Sequence, residues 1–233
     1  MGELAEDGLE EQVLVDAGEV GLEGDLYLPA GPRGIVLFAH GSGSSRHSSR
    51  NRYVARLLND AKLATLLMDL LTPVEEAIDL QTAHLRFNIG LLAERLVGAT
   101  YWLLDYPPTS GLPIGYFGAS TGAAAALVAA AERPNWVGAV VSRGGRPDLA
   151  GEKLAQVKAP TLLIVGGNDF TVIELNRQAF AQLRCEKQLV IVPGATHLFE
   201  EPGTLDEVAR LARDWFERYL SADVRNARRG EHD

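Results

Sequence analysis

The chain has 233 residues, 46% of them hydrophobic and 23% charged, and carries a net charge of −9. This is enough chain for one large buried core, while the acidic balance argues against nonspecific binding to nucleic acid or to an anionic membrane. Cys185 is the single cysteine, so neither an internal disulfide nor a cysteine-based zinc site is available, and one thiol fits a reducing cytoplasm.

Residues 1–11 are acidic and lack the basic start and apolar stretch of a secretory signal. Glu6 stands where a myristoylation pattern needs Ser or Thr. No stretch reaches the roughly 18 apolar residues that cross a bilayer, so the protein is expected to be cytoplasmic and unanchored. Two β-type segments, 12–16 and 20–28, flank Ala17-Gly18 and predict a hairpin. After Pro29-Ala30-Gly31-Pro32, the continuous apolar run 34–39 predicts a strand buried on both faces. Val54, Leu57, Leu58 and Ala61 recur at helical spacing over 51–61, and 63–68 is a second buried-strand candidate.

Residues 72–104 are predicted to be mostly helical, with Leu85, Ile89, Leu92, Leu96 and Leu103 as the apolar positions. Strands at 112–117, 136–142, 161–165 and 189–192 then alternate with helices at 121–132, 151–156, 172–183 and 204–220. Such alternation specifies an α/β fold of about eight strands, mostly parallel, with helices on both faces and the hairpin as an antiparallel edge. Residues 1–220 are expected to form one domain, and the polar segment 221–233, with three arginines, a flexible tail.

Gly118-Ala119-Ser120-Thr121-Gly122 joins an apolar strand to an alanine-rich helix. This is G-x-S-x-G in the strand–turn–helix context that lifts a serine clear of a sheet as a nucleophile. The small flanking residues are needed where strand and helix backbones approach, and a serine at positive φ needs neighbours that leave it room. Such a serine requires a base and a group that orients the base. Catalytic groups in these sheets gather beyond the carboxyl ends of the strands. Asp169 follows the strand 161–165 and His197 follows 189–192, in the order Ser, Asp, His. Asp148 also follows a strand and is the rival acid.

His40-Gly41-Ser42-Gly43-Ser44-Ser45 directly follows the strand 34–39 and predicts an oxyanion loop. The backbone N–H of Thr121, at a helix N-terminus, is one expected donor. Ser42 N–H is the other, with Gly43 as the alternative. A phosphate-cradling reading lacks Gly-Lys-Ser/Thr and the third glycine of a dinucleotide fingerprint. His40 is expected to order this loop rather than to take protons.

The segments HGSGSS, GASTG, GGND and GATHLFE, in this spacing, resemble the α/β-hydrolase superfamily over nearly the whole chain. The compact layout is similar to its dienelactone-hydrolase-like branch, to which residues 115–127 and 140–151 look closest. Domains of this kind also occur fused to a phosphoribosyltransferase domain, which is not expected here. The resemblance implies a serine hydrolase acting on esters, with a lactone hydrolase or a non-catalytic binding protein as alternatives. Dienelactone hydrolase itself uses a cysteine nucleophile, so its substrate does not carry over to Ser120. The resemblance also favours Asp169 over Asp148 as the triad acid.

Only 17 residues, 143–159, stand where larger relatives insert a cap. An uncapped, water-accessible site suits small or exposed ester or lactone substrates. Arg143 and Gly43 are the substrate-binding candidates. Arg143 either recognises a substrate carboxylate through a two-pronged bond or pairs with Asp148 or Asp169. Arg46, His47, Arg50 and Arg52 form either a positive rim or a solvated loop. Cys185 is expected to be structural, and His84 takes no part. No residues have metal-ligand spacing, no cofactor is expected, and the sequence leaves a homodimer open.

Overall fold

The computed structural model describes residues 8–220. The acidic start and the expected tail at 221–233 lie largely or wholly outside the described residues. The strands are β1 (Leu9–Asp16), β2 (Gly21–Leu28), β3 (Gly34–Ala39), β4 (Leu63–Met68), β5 (Ile114–Ala119), β6 (Val137–Arg143), β7 (Thr161–Gly166) and β8 (Lys187–Val192). They form one sheet in the order β1-β2-β4-β3-β5-β6-β7-β8. The β1–β2 and β2–β4 pairings are antiparallel and all the others parallel. The helices are α1 (Ser49–Asp60), α2 (Pro73–Thr82), α3 (Ile89–Asp105), α4 (Thr121–Glu132), α5 (Phe170–Gln182) and α6 (Thr204–Tyr219).

The apolar runs behave as strands because both of their faces are covered. In β3, Val36 and Phe38 join Val54, Leu58, Trp215 and Phe216 under α1 and α6. The alternate residues Ile35 and Leu37 join Leu96, Tyr116 and Leu127 under α3 and α4. Every residue of α4 from Thr121 to Ala130 is buried. A helix of alanines has no bulk to hold it off the sheet, so it can pack closely at the centre of the molecule.

The chain order reverses at β3. From there β4 lies on one side and β5 on the other, with Ala39 in register with Gly118. A reversal of this kind opens a crevice at the carboxyl ends of the two strands. The loop after β3 and the turn after β5 therefore leave the sheet side by side.

The helical stretch predicted for 72–104 is three pieces. A capping box between Thr72 and Glu75 starts α2, and Ala83 ends it in the left-handed conformation at φ 52°. A 3₁₀ turn, Leu85–Phe87, follows, and Asn88 caps α3. The helix predicted at 151–156 is a longer 3₁₀ segment, Pro147–Gln156, interrupted at Gly151. The segment between β6 and β7 holds nothing larger, and no cap domain is inserted there.

Candidate active site

Ser120 sits between β5 and α4 at φ 50°, ψ −122°. Such a conformation costs a non-glycine residue on the order of 1–3 kcal/mol and persists only where the surroundings impose it. The Ser120 N–H donates to Arg143 O at 3.4 Å, and Ser120 O accepts from Ala123 N–H at 3.2 Å and Arg146 N–H at 3.0 Å. The flanking glycines are steric requirements. A Cβ on Gly118 would stand 2.4 Å from Ala123 Cα, and one on Gly122 would stand 2.3 Å from Ala39 O.

Asp169 and His197 leave the adjacent strands β7 and β8. Their loops are tied together by Asn168 N–H to Ala195 O at 2.9 Å and Asn168 Nδ2 to Gly194 O at 3.0 Å. His197 Nδ1 lies 2.7 Å from Asp169 Oδ2, with the carboxylate mostly buried and the imidazole side chain 40% exposed. An ionised Asp169 accepts this bond, so Nδ1 carries the proton and Nε2 keeps its lone pair. The ring lies against the turn that braces Ser120: a Cβ on Gly144 would be 3.7 Å from His197 Cε1. Thr196 donates to Glu201 from its N–H at 3.0 Å and its hydroxyl at 2.6 Å, which secures the loop just before His197. These two bonds hold the Glu201 carboxyl below the usual carboxylate range.

Asp148 is engaged elsewhere. Its two oxygens take a forked pair of bonds from Arg146, at 2.9 and 2.8 Å. Asn176, fully buried, donates to Gly145 O at 3.0 Å and steadies the same turn from α5.

The loop after β3 is pinned from several sides. His40 Nε2 accepts from Leu70 N–H at 3.1 Å, which puts the ring proton on Nδ1, and Nδ1 donates to Gly41 O at 2.9 Å. Burial pushes the His40 pKa down, so the ring is neutral. Gly43 occupies φ 69° in a turn closed by Ser44 N–H to Gly41 O at 3.2 Å. Ser42 N–H donates to Thr121 Oγ1 at 3.0 Å, joining the loop to the first residue of α4. Ser42, Gly43 and Thr121 line a small cavity of about 80 Å³ whose walls also include Leu70, Leu80 and Arg86. Arg86 is held there by the buried Asp79, at 2.6 Å.

The arginines after this loop are not a free positive rim. Arg46 is ion-paired with Asp69 and with Glu23 at 2.6 Å, and lies 3.5 Å from Asp25. Its backbone N–H also donates to Asp69, at 2.7 Å. Arg52 bonds Asp25 at 2.8 Å and lies 2.9 Å from His47 Nδ1, and Arg50 reaches Glu200 at 3.3 Å. The acidic partners Glu23, Asp25 and Asp69 come from β2 and the end of β4, distant in sequence, and no local pattern announces them.

Arg143 pairs with neither Asp148 nor Asp169. It is buried, and its Nη2 bonds Asn51 Oδ1 at 3.2 Å. Its Nε is buried without a hydrogen bond. Burial and the nearby Arg50 push its pKa down to about 10. Cys185 is half-buried beside Thr161, and burial raises its thiol pKa. Among the described residues no cluster of three or more His, Cys, Asp or Glu offers a metal site. No described helix is long and apolar enough to cross a membrane.

The sequence model of the dienelactone hydrolase family matches residues 66–222. A dienelactone hydrolase from Anabaena variabilis of known crystal structure is 65% identical, with a TM-score of 0.90 over 92% of this chain and 99% of that one. Est1E from Butyrivibrio proteoclasticus shares the fold at 14% identity, with a TM-score of 0.74 over 89% of this chain and 98% of its own. A Mycobacterium tuberculosis protein named "Putative phosphoribosyl transferase Rv0571c" is 63% identical over 207 residues, which are 89% of this chain and 46% of that protein. The chain thus spans about half the length of that relative. With more than half of its sequence matched and its fold shared over 92% of its length with a 65% identical relative, the chain belongs to the dienelactone hydrolase family, hydrolases of the α/β-hydrolase fold.

Proposed function

We propose that the protein is a serine hydrolase that cleaves carboxylic esters of small or accessible substrates through an acyl-enzyme. The observation that carries this reading is the His197–Asp169 pair at 2.7 Å, together with a serine held at φ 50° by a turn that tolerates no larger neighbours. His197 Nε2 takes the Ser120 proton as Ser120 Oγ bonds to the ester carbonyl carbon. The carbonyl π electrons move onto oxygen, where the Thr121 N–H and the glycine-bearing loop at Gly43 meet the charge. Collapse of the adduct expels the alkoxide, which takes the proton from His197. Water then repeats the sequence and frees Ser120. Asp169 holds the imidazole in the required tautomer and stabilises it while it carries the proton.

Lactones are a second substrate class, favoured by the name of the 65% identical Anabaena variabilis protein, a dienelactone hydrolase. A lactone is an ester whose leaving group stays tethered, and the same steps apply. The absence of a cap between β6 and β7 supports small or exposed substrates of either kind. Arg143 is a candidate for a substrate carboxylate, since it is a buried cation with no acidic partner among the described residues.

Turnover of short-chain nitrophenyl esters and simple lactones tests the reading. Wild type should hydrolyse them, and Ser120→Ala should fall to background. Asp169→Asn should lose about 10⁴-fold in kcat, against less than about 10-fold for Asp148→Asn, whose ion pair lies outside the triad. Hydrolysis that survives Ser120→Ala, or the opposite ranking of the two aspartates, contradicts it.

A further inference from the structure

We infer that the side-chain hydroxyl of Thr121 is itself an oxyanion donor, so that the developing charge meets a hydroxyl as well as backbone N–H groups. The inference rests on the serine-hydrolase reading above and deepens it at the same site.

Hydrogen-bond accounting leads to it. Thr121 Oγ1 accepts the Ser42 N–H at 3.0 Å. A threonine hydroxyl has one proton of its own to donate. Among the described residues that proton has no acceptor, although the residue is only 3% exposed. Buried donors are rarely left unused, and those that are call for a reason. Thr121 and Ser42 both line the cavity next to the elbow, where the mechanism above brings the substrate oxygen.

The bond from Ser42 also changes what the expected oxyanion hole is made of. Ser42 N–H is not a free backbone donor in this structure; it points at Oγ1. Donation into Oγ1 polarises the hydroxyl and strengthens it as a donor in turn. The charge is therefore stabilised by a chain, Ser42 N–H to Thr121 O–H to oxygen, alongside the direct Thr121 N–H. Backbone nitrogen and hydroxyl of one threonine are close neighbours, so an oxygen seated on the first is within reach of the second. The first position of a helix also leaves the N–H unpaired and places positive potential there. The bond changes at carbon are those already described: Ser120 Oγ bonds the carbonyl carbon, the proton passes to His197, and the electron pair moves to the oxygen that Thr121 holds.

The test compares Thr121→Val, which keeps the shape and removes the hydroxyl, with Thr121→Ser, which restores it. Each is assayed on an oxygen ester and on the matching thionoester, whose sulfur accepts hydrogen bonds poorly. Thr121→Val should lower kcat on the oxygen ester about 100-fold, in the range of losing one oxyanion donor, with KM within about 3-fold. On the thionoester its loss should shrink below about 5-fold, and Thr121→Ser should recover most of the oxygen-ester rate. An equal loss on both substrates would mean that the residue only shapes the turn, and no loss on either would mean that the hydroxyl is idle. Each of those results overturns the inference while leaving the Ser120 mechanism intact. If wild type shows no Ser120-dependent hydrolysis at all, the functional reading fails, and this inference with it.

Discussion

His40 shows how much one buried side chain can fix. Its two ring nitrogens are both committed, Nε2 accepting from Leu70 and Nδ1 donating to Gly41, so the neutral ring ties β4 to the loop carrying Ser42 and Gly43. Protonation would turn Nε2 from acceptor to donor and set it against the Leu70 N–H. The folded-state pKa lies below the ordinary 6.5 because burial opposes the charge. Below pH 6.5 the unfolded chain therefore binds this proton before the folded one does. Stability then falls as pH drops from 6.5 to the lowered value, and is unaffected by this group above that window. Thermal midpoints measured across this window should decline less steeply in His40→Gln than in wild type. Parallel declines would show that His40 does not set the slope. The sequence marks His40 as a loop-ordering residue through its place after a buried strand, but its tautomer depends on Leu70, which only the fold brings near.

Among the elements, the strand–turn–helix of β5 and α4 was the most legible in sequence, because its requirement is local and steric. Gly118 and Gly122 announce a backbone approach that the structure places at 2.4 and 2.3 Å from an added Cβ. Gly122→Ala should cost about 1–3 kcal/mol or more through overpacking, and each kcal/mol should lower Tm by about 2–4 °C in a domain of this size. Gly90→Ala in α3 is the contrast. Its Cβ would meet only Asn88 Oδ1, at an ordinary 3.6 Å, so it should be neutral or stabilise by up to about 1 kcal/mol through helix propensity. Equal Tm losses in the two variants would remove the steric account of the elbow. Other elements were read less well. The predicted strand 112–117 lies at Ile114–Ala119, because Leu112 N–H still closes a turn onto Thr109 while Gly118 and Ala119 continue the ladder against Ser142 and Arg143. The arginines after the loop that follows β3 looked free in sequence because their partners sit on β2 and after β4. The link between Ser42 and Thr121 spans 79 positions and has no local signature.

At the scale of the molecule, chain reversal at β3 does the positioning. It sets the ends of β3 and β5 side by side in register, with the loop from His40 beside the turn at Ser120. Beyond β6, the strands β7 and β8 deliver Asp169 and His197 from the same edge of the sheet. The alternation of apolar strands and helices made this architecture readable, since a parallel sheet must be buried on both faces. The chain order of Ser, Asp and His made the proposed site readable within it. What the alternation could not convey was the side-chain network fixing the loops, which depends on which strands become neighbours. The central claim is that Ser120 is a nucleophile activated by His197, and covalent labelling tests it without knowledge of the substrate. Wild-type protein exposed to a fluorophosphonate should gain one adduct, located by peptide mass spectrometry at Ser120, and Ser120→Ala should gain none. Labelling that persists in Ser120→Ala, or a wild-type protein that stays unlabelled, would contradict the account.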